Sequence, residues 1–447
     1  MILVSILVIA LMVVAITYYF FQPMSSSFVS KSQIGAYATE YPTHSVSTSP
    51  NAITVDSAGV VWFSLWNDSS IAELIPANGT IHEYHVPGLK SGSMITWGMS
   101  ADDSSGLIWF TEESSNSVWS FNVNNRQFNQ HELATPNSFP FGLTIDKNHN
   151  VWFAELEGNK IGEISASGSL AEFPVPAPNS EPSGITTDSS GKVWFSLPGI
   201  DSIGSYFDGN FTIQNLTGLV TTPVGIAIDP QGNAWMTQHG PSFISEFNPT
   251  SHYFRTISTS NNSLVVSLPY FCWIDQNGNV WFNEHQGNAM SEFQPTSDTM
   301  IEYFIPSRVE GSGNISYMLT SAVSPGGQPW YTELLTGKVG TVNTSKALDV
   351  NILLQNYSRS ISIPNGSETS LGLSIESNSS SASLKAYVGN YTGNFSFTFT
   401  PEHGKGSFNS VVEIQNNGSV PGVYFVTLTA RTNFLAVSKI IEIRVGK

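Results

Sequence analysis

The sequence has one cysteine among its 447 residues, Cys272. A single cysteine excludes a disulfide within the chain and a cysteine-rich metal site. Cys272 stands in the apolar run Tyr270-Phe271-Cys272-Trp273-Ile274, which is typical of a buried strand. We therefore expect an inert core thiol, with an interchain disulfide or a reactive thiol as the alternative.

Charged residues are also scarce, at 11% of the chain against roughly 25% in average soluble domains. The 17 basic and 34 acidic residues give a net charge of −17. This balance argues against a nucleic-acid-binding protein, which needs a basic surface to replace counterions on phosphates. Neutral polar residues in place of carboxylates limit the change of net charge at low pH, so we hypothesise acidic surroundings.

One long hydrophobic run is present, at the amino terminus, where residues 2–21 carry no charge. About 20 apolar residues are enough to span a bilayer as a helix, and the run ends in Tyr18-Tyr19-Phe20-Phe21, where aromatic rings favour the membrane interface. We predict that residues 1–22 are a single transmembrane anchor, with a cleaved signal peptide as the alternative. The rest of the chain is then expected to be extracellular, held at the cell membrane.

Acceptor motifs for N-glycosylation are frequent, although a chain rich in Asn, Ser and Thr also produces them by chance. They fit an extracellular glycoprotein. The thirteen Asn-x-Ser/Thr motifs begin at Asn67, Asn78, Asn210, Asn215, Asn261, Asn314, Asn343, Asn356, Asn365, Asn378, Asn390, Asn394 and Asn417.

A tryptophan followed by an aromatic residue or methionine recurs seven times, at intervals of 41–49 residues. Short alternating runs separated by Gly, Asn and Asp surround each pair and indicate strands and hairpins. A period of about 40–45 residues is that of a four-stranded propeller blade, so residues 33–345 are predicted to form a seven-bladed β-propeller. The pairs are Trp62-Phe63, Trp109-Phe110, Trp152-Phe153, Trp194-Phe195, Trp235-Met236, Trp281-Phe282 and Trp330-Tyr331.

Both ends of this repeat region carry further information. The seventh repeat ends after its third strand, and Ala38-Thr39-Glu40-Tyr41-Pro42 resembles the fourth strand of other repeats, so we predict that it closes the ring. Residues 346–447 contain alternating segments and no tryptophan. They are predicted to form a small immunoglobulin-like β-sandwich, which makes the whole chain all-β apart from its anchor.

The repeat pattern resembles that of the virginiamycin B lyase (streptogramin B lyase) family over residues 33–345. Good local matches are Trp152-Phe153-Ala154-Glu155, followed by Asn159-Lys160-Ile161-Gly162-Glu163-Ile164, and Thr222-Pro223-Val224-Gly225-Ile226-Ala227-Ile228-Asp229. The resemblance implies a seven-bladed propeller. It also implies lyase activity, in which a cyclic depsipeptide lactone is opened by elimination with Mg²⁺, two histidines and nearby carboxylates.

The two family histidines follow a proline in late repeats, and neither is histidine here. Tyr270 stands at the first position, in Leu268-Pro269-Tyr270-Phe271, and Tyr317 is near the second. A phenol with a pKa of about 10 does not replace a neutral imidazole as a base. We therefore expect no lyase activity by the family mechanism.

Residues just after each tryptophan pair are expected to converge at the mouth of the central channel. Glu112, Glu155, Glu284 and Glu333 lie three positions after their tryptophans, Gln238 is their counterpart in the fifth repeat, and His239 and His285 follow directly. Carboxylate and imidazole together suit a divalent metal or acid–base chemistry. The alternative is that each glutamate only bonds to backbone groups of its own repeat.

Three functional hypotheses follow, and the sequence leaves catalysis undecided. The first is an anchored recognition or envelope-scaffold propeller that binds a glycan, peptide or envelope protein through Gln238, His239, Tyr270, Tyr317, Trp66 and Trp97. The second is a divergent lyase or lactone hydrolase using Glu284, His285 and Glu333. Mg²⁺ or Ca²⁺ is a possible cofactor, with Glu112, Glu155 and Glu284 as candidate ligands. The third is a structural component of the cell envelope.

Overall fold

The computed structural model describes residues 25–260, 267–309, 316–357, 360–378, 381–389 and 393–446. These residues form β-strands with two single-turn 3₁₀ helices, Val46–Thr48 and Pro198–Ile200, so the all-β prediction is confirmed. Within the described ranges no helix has the length and apolar character needed to cross a bilayer. The predicted anchor, residues 1–22, and the motifs at Asn261, Asn314 and Asn390 lie outside the described residues.

The first three strands precede the repeats and attach to sheets that form later in the chain. They are β1 (Ser25–Val29), β2 (Gln33–Ile34) and β3 (Ala38–Pro42). Seven sheets follow in chain order, each built from successive antiparallel strands. We call their strands first to fourth from the inner edge outward.

The strands of the seven sheets have these bounds. Sheet one contains β4 (Pro50–Val55), β5 (Val61–Leu65), β6 (Ser70–Ile75) and β7 (Thr80–His85), and sheet two contains β8 (Met99–Asp102), β9 (Leu107–Glu112), β10 (Ser117–Asn122) and β11 (Phe128–Glu132). Sheet three contains β12 (Pro140–Ile145), β13 (Val151–Glu155), β14 (Lys160–Ile164) and β15 (Leu170–Pro174), and sheet four contains β16 (Ile185–Thr187), β17 (Val193–Leu197), β18 (Ser202–Phe207) and β19 (Asn210–Asn215). Sheet five contains β20 (Pro223–Ile228), β21 (Ala234–Gln238), β22 (Phe243–Phe247) and β23 (Phe254–Ser258), and sheet six contains β24 (Pro269–Ile274), β25 (Val280–Glu284), β26 (Ala289–Gln294) and β27 (Thr299–Phe304). Sheet seven contains β28 (Ser321–Val323), β29 (Pro329–Glu333) and β30 (Lys338–Val342).

The amino-terminal strand completes the seventh sheet. β3 pairs antiparallel with β30, so the predicted fourth strand is confirmed, and β2 adds a short fifth strand outside it. β1 pairs with β7 at the outer edge of sheet one. A strand that precedes residue 33, the predicted start of the propeller, is therefore also part of this sheet. This pairing has no counterpart in the other repeats, so the repeat pattern did not predict it.

In five sheets an aspartate six residues before the tryptophan holds the turn between the first and second strands. In sheet three, one Asp146 oxygen accepts hydrogen bonds from the backbone N–H groups of Asn148 and Asn150, and the other accepts from the Trp152 indole at 3.1 Å. The same indole bond is made by Trp62, Trp194, Trp235 and Trp281 in their sheets. Each aspartate thus fixes a hairpin and satisfies a largely buried indole.

A glycine on the third strand of several sheets makes room for the aromatic ring that follows the tryptophan on the second strand. Phe153 lies opposite Gly162, where a Cβ would stand 2.0 Å from the ring, and Phe195 and Tyr331 lie in the same way over Gly204 and Gly340. Glycine is therefore required by close packing, because any side chain there would overlap the ring.

Hydrogen bonds between inner strands link the sheets in sequence and return to the first. Small polar side chains and glycine N–H groups on one sheet reach carbonyl oxygens at the start of the next. The links, from sheet one onward, are Asn51 to Thr96, Thr111 to Phe141, Gly142 to Ser183, Gly184 to Val224, Thr237 to Tyr270, Asn283 to Met318 and Thr332 to Asn51. The seventh link joins the last sheet to the first, so the arrangement is propeller-like.

The carboxyl-terminal part of the chain forms two further layers of strands. Its strands are β31 (Val350–Gln355), β32 (Ser360–Ser362), β33 (Glu368–Ser377), β34 (Ser381–Val388), β35 (Phe395–Thr400), β36 (His403–Lys405), β37 (Phe408–Asn416), β38 (Gly422–Arg431) and β39 (Leu435–Val445). One layer has the order β31-β33-β37-β35. The other contains β39, β38, β34 and β36, with β32 parallel to β39.

This second layer is continuous with sheet six. β39 pairs antiparallel with β27 from Thr299↔Lys439 to Tyr303↔Leu435, so one sheet runs through both parts of the chain. A single apolar core also includes Trp281 and Tyr331 of the repeats together with Leu373 and Ile441 of the carboxyl-terminal part. The two parts are therefore joined by shared sheet and shared core.

Candidate functional site

The front face of the sheets is defined here as the end at which the first strand begins and the second strand ends. At this face, the residue after the second strand donates its N–H to the carbonyl of a residue one to four positions before the first strand. Examples are His285 to Leu268 at 3.1 Å and Leu334 to Tyr317 at 3.0 Å. These bonds fix which residues correspond between sheets.

The correspondence corrects the position assigned to Tyr317. Tyr317 is equivalent to Leu268, and the residue equivalent to Tyr270 is Leu319, because Phe282 pairs with Cys272 and Tyr331 pairs with Ser321. Tyr317 therefore lies two positions before the residue that is equivalent to Tyr270. The equivalent positions of the seven sheets are Asn51, Trp97, Phe141, Ser183, Val224, Tyr270 and Leu319.

Aromatic and imidazole rings from six sheets meet at the centre of the front face. We call these rings the axial cluster; its members are Trp66, Trp97, Phe139, Phe141, His239, Tyr270, Phe271, His285 and Tyr317. Six of them were predicted ligand-binding or catalytic residues. The structure therefore brings together Trp66, Trp97, His239, Tyr270, His285 and Tyr317.

The axial cluster reaches across the centre of the molecule. The ring centroids of Trp97 and Tyr270 are 6.4 Å apart, and those of Phe141 and Phe271 are 5.9 Å apart, which joins sheets two and three to sheet six. A bulge in β24 between Pro269 and Cys272 lets two successive residues face the axis, as bulges commonly do beside functional sites.

A cavity lies behind the cluster along the axis. Its volume is about 430 Å³, and residues from the inner strands of all seven sheets line it, with Trp97 and Phe271 among them. The cluster thus covers the front end of a central channel. Its rings are half-buried, apart from Phe141, which is buried.

Two imidazoles form the polar part of the cluster. His239 Nε2 and His285 Nδ1 are 3.5 Å apart, and both rings contact Tyr270, with centroids at 5.1 and 5.5 Å. The Nε2 atom of His285 is buried without a hydrogen-bond partner in the described part of the chain. Tyr317 packs edge-on against His285 at 5.0 Å.

Burial sets the charge state of these rings. It lowers the pKa of His285 to about 4, with a further contribution from His239, and it also lowers the pKa of His239. Burial raises the pKa of Tyr270. At neutral pH the cluster therefore presents two neutral imidazoles and the neutral phenol of Tyr270.

The predicted carboxylates do not share this location. Glu112, Glu155, Glu284 and Glu333, and Gln238 at the same position of sheet five, are 0–1% exposed at the ends of their second strands. Glu112 accepts bonds from the N–H groups of Ile95, Ser114 and Ser115. Gln238 accepts from Thr221 N–H and donates to Ser245 Oγ. The expectation that these side chains gather at the channel mouth is therefore corrected: all five are buried at their strand ends, and Glu112 and Gln238 bond to groups of their own sheets.

Three of the glutamates stand beside a second glutamate on the fourth strand of the same sheet. The Ser291 hydroxyl donates to a Glu284 carboxyl oxygen at 2.6 Å, and Glu302 lies beside the same carboxyl group. Burial, reinforced by Glu302, raises the pKa of Glu284 well above its ordinary value. Glu284 and His285 are neighbours in sequence, yet their side chains have separate partners.

The corresponding pairs in sheets seven and three behave in the same way. Burial and then Glu40 raise the pKa of Glu333 to about 8, and burial and then Glu172 raise the pKa of Glu155 to about 7. In these two sheets a lysine accompanies the pair, at Lys338 and Lys160. Glu40, Glu172 and Glu302 were missed because the sequence gives no sign that fourth strands face the glutamates of second strands.

The residues at the front face do not fit Mg²⁺ or Ca²⁺, which prefer several ionised oxygen ligands. Glu112, Glu155 and Glu284 belong to three different sheets, and the structure does not bring them together. No three His, Cys, Asp or Glu side chains of the described ranges are grouped as a metal site would require. The axial cluster itself offers imidazole nitrogens and phenol groups.

Phe139, Phe141 and Phe271 are the members of the cluster that sequence reasoning did not select. Phe141 occupies the position of Tyr270, and Phe139 occupies that of Tyr317. Aromatic residues at equivalent positions of several repeats were the signal that could have identified them.

One comparison with known proteins identifies a family. The sequence profile of the virginiamycin B lyase family matches residues 36–323. None of the curated proteins matches the sequence at a significant level.

Solved structures show the same relationship. A streptogramin B lyase is 26% identical, with a TM-score of 0.60 over 69% of this chain and 97% of that one. A catalytically inactive variant of virginiamycin B lyase from Staphylococcus aureus, with quinupristin, is 23% identical, with a TM-score of 0.60 over 68% and 98% of the two chains. Hydrazine synthase of Kuenenia stuttgartiensis, at 10% identity and a TM-score of 0.52 over 68% and 98%, shares the fold alone.

The family match covers well over half of the chain and includes the strands that carry most of the axial cluster. On this basis the chain belongs to the virginiamycin B lyase family.

Proposed function

We propose that this chain is a ligand-recognition propeller whose axial cluster binds a peptide-like ligand with aromatic or apolar groups. The supporting observation is the cluster itself, in which rings from six sheets form a half-buried, neutral surface over a central cavity. Aromatic rings provide large contact areas at low cost in conformational entropy, and a few polar atoms, here His239 and His285, orient a ligand.

We also propose the number of blades and the type of the carboxyl-terminal domain. Seven blades at residues 33–345 are supported by the seven sheets and by the bond from Thr332 to Asn51 that links the last to the first. An immunoglobulin-like sandwich at residues 346–447 is supported by the two carboxyl-terminal layers and by the Tyr424 hydroxyl, which donates to the Val420 carbonyl as in a tyrosine corner.

Location and modification are part of the same proposal. We place the protein outside the cell, anchored through residues 1–22, where it serves as a receptor or as a scaffold for envelope proteins. The ten acceptor asparagines within the described ranges are all exposed, as glycosylation requires. The strong net negative charge still argues against nucleic acid as a partner.

Calorimetric titration of the full chain with quinupristin, the compound in one related structure, tests recognition. We expect binding, and we expect Trp97→Ala to weaken it about tenfold or more, as removal of a central aromatic residue does. Phe207→Ala, at an exposed hairpin of sheet four, is the matched control and should leave the affinity unchanged. Equal weakening by both variants would contradict the assignment of the site.

A second candidate, a divergent lyase, is favoured by the imidazole pair. His239 and His285 flank Tyr270, which occupies a catalytic histidine position of the family, so neutral bases are present one strand away from the family site. In an elimination, an imidazole would take a proton from a substrate carbon and the lactone C–O bond would break. The ring-opened product would have the same mass as the substrate. Hydrolysis would add the mass of one water.

Mass spectrometry and chromatography of the titrated quinupristin separate the two candidates. A ring-opened product of unchanged mass, absent with His285→Asn, would establish the lyase. Intact quinupristin after binding is the result that recognition predicts.

A further inference from the structure

The most exposed large apolar side chains of the described residues lie close together in space. Ile34 is 82% exposed, Val46 71% and Val29 70%, and no other large apolar side chain in these ranges exceeds 61%. All three precede the first strand of sheet one. Exposed aliphatic groups at such fractions are unfavourable in water, so a cluster of them indicates a surface with a partner.

Two adjoining hollows connect these residues. Val29 lines one of about 490 Å³ together with His44, and Ile34, Val46 and Leu335 line another of about 720 Å³. Gln33 borders both hollows, so the surface is continuous. We call Val29, Ile34, Val46 and Leu335 the rim patch.

Positive charge accompanies the rim patch in a chain with few cations. Lys31 lines the first hollow, and Arg308 and Lys338 line the second. Lys338 is bound to Glu40, which is nearly fully buried. The side chains of Lys31 and Arg308 are exposed to solvent. His44 is held by Glu83 and Asp68. Three of the 17 basic residues thus border one apolar surface.

The path of the chain brings this surface near the predicted anchor. Only three residues separate Phe21, the end of the uncharged run, from Ser25, the start of β1. Four Cα steps span at most about 14 Å. β1 is fixed to β7 by five residue pairs, and Ser30 N–H bonds to the Gly79 carbonyl. An anchor in a bilayer would therefore hold this rim close to the lipid surface.

From these observations we propose that the rim patch rests on the bilayer. Val29, Ile34, Val46 and Leu335 enter the headgroup region, and Lys31 and Arg308 meet anionic lipid phosphates. The inference depends on the anchor proposed above. It adds that the folded part is held in one orientation, with the edge between sheets one and seven against the lipid.

The single, buried cysteine makes the orientation measurable in the full chain. Cys272 is 6% exposed, so an introduced cysteine provides the reactive thiol. Val46→Cys and Leu335→Cys carry a fluorescent label on the rim patch, and Asn277→Cys carries it on an exposed hairpin at the opposite face. The labelled proteins are reconstituted in vesicles of equal parts phosphatidylcholine and phosphatidylglycerol that contain a headgroup-linked quencher.

We expect quenching about threefold stronger or more at positions 46 and 335 than at 277, since interfacial apolar faces lie within ~5–10 Å of the headgroups. Lys31→Glu with Arg308→Glu should reduce quenching at position 46, and Lys385→Glu, on the carboxyl-terminal part, should not. Quenching that is equal at all three positions, or strongest at 277, would overturn the proposal.

Flotation separates failure of this inference from failure of the anchor. Protein that floats with the vesicles but shows the reversed quenching pattern contradicts the rim patch alone. Protein that stays in the lipid-free fraction contradicts the anchor and the rim patch together.

Discussion

At the scale of single residues, Glu112 and Glu155 occupy the same position of neighbouring sheets but have different surroundings. Glu112 accepts bonds from three backbone N–H groups and from the Ser114 hydroxyl. Neither Glu155 oxygen has a hydrogen-bond partner in the described ranges, and its pKa is raised to about 7 by burial and then by Glu172. Four donors therefore satisfy the carboxyl group of Glu112, and none in the described part of the chain satisfies that of Glu155.

Substitution by glutamine should change the stability of the protein differently at Glu112 and at Glu155. Glu112→Gln is expected to lower the free energy of unfolding by about 1–3 kcal/mol, because the amide has one acceptor oxygen in place of two and leaves a buried N–H group unsatisfied. Glu155→Gln is expected to be neutral or stabilising at pH 8, where it removes a buried charge. Urea unfolding of both variants checks this, and an equal loss of stability in the two would contradict it.

The residue scale also shows what the sequence could predict about the site. Strand order and hairpin spacing fix which ends of the strands meet, and His239, Tyr270 and His285 lie together at one face. The glutamates one position earlier were placed wrongly. Successive residues of a strand point to opposite faces of the sheet. At the end of this strand, the Glu284 side chain is therefore buried beside its own sheet, and the next residue, His285, lies at the axis.

At the scale of elements, the contact between successive inner strands depends on glycine. Gly184 N–H bonds to the Val224 carbonyl, and a Cβ at Gly184 would stand 2.3 Å from that oxygen. Gly240 has no atom within 4 Å of its Cβ position and no positive φ. The two glycines are a matched pair for testing the links between sheets.

Gly184→Ala is expected to destabilise the protein by about 1–3 kcal/mol, as overpacking does, because sheets four and five must move apart. Gly240→Ala should stay within about 0.5 kcal/mol of the parent protein. Thermal unfolding measures both. If Gly184→Ala left the melting temperature unchanged, the inner-strand links would not hold the sheets together.

Pairing between elements was only partly predictable from the sequence. The closure of sheet seven by β3 followed from a missing fourth strand at one end and a matching segment at the other. The pairing of β39 with β27 did not follow from the alternating segments of residues 346–447. Edge pairing uses backbone N–H and C=O groups, which every residue carries, so side-chain patterns do not reveal it.

At the scale of the whole molecule, that pairing joins the two parts of the chain. The shared sheet and the apolar core around Trp281 and Ile441 mean that neither part unfolds without exposing the other. We therefore expect one cooperative transition in calorimetry of the full chain. Two resolved transitions would show that the carboxyl-terminal layers are an independent spacer.

The buried carboxyl groups predict how stability depends on pH. Burial raises the pKa of Glu155 and Glu292 to about 7 and that of Glu333 to about 8, so the folded chain binds protons that the unfolded chain, with values near 4.5, has released. Their contribution is complete below pH 4.5 and is lost as the pH rises through about 7–8.

The imidazoles act in the opposite direction at lower pH. The pKa of His285 is lowered from 6.5 to about 4, so the unfolded chain gains protons first as the pH falls below 6.5. Between pH 4.5 and 6.5 the three carboxyl groups outweigh the one imidazole, so the melting temperature is expected to be higher at pH 5 than at pH 8. Melting temperatures measured from pH 4 to pH 9 test this, and a maximum at or above pH 8 would contradict both the assignment and the hypothesis of acidic surroundings.

We propose above that the axial cluster is the binding site of the molecule. Crystals of the full chain grown with quinupristin test it most directly, because the position of the bound compound is observed. We predict difference density in contact with Trp97, Tyr270 and His285 over the central cavity. Density confined to another surface, with the cluster free of ligand, would contradict the claim.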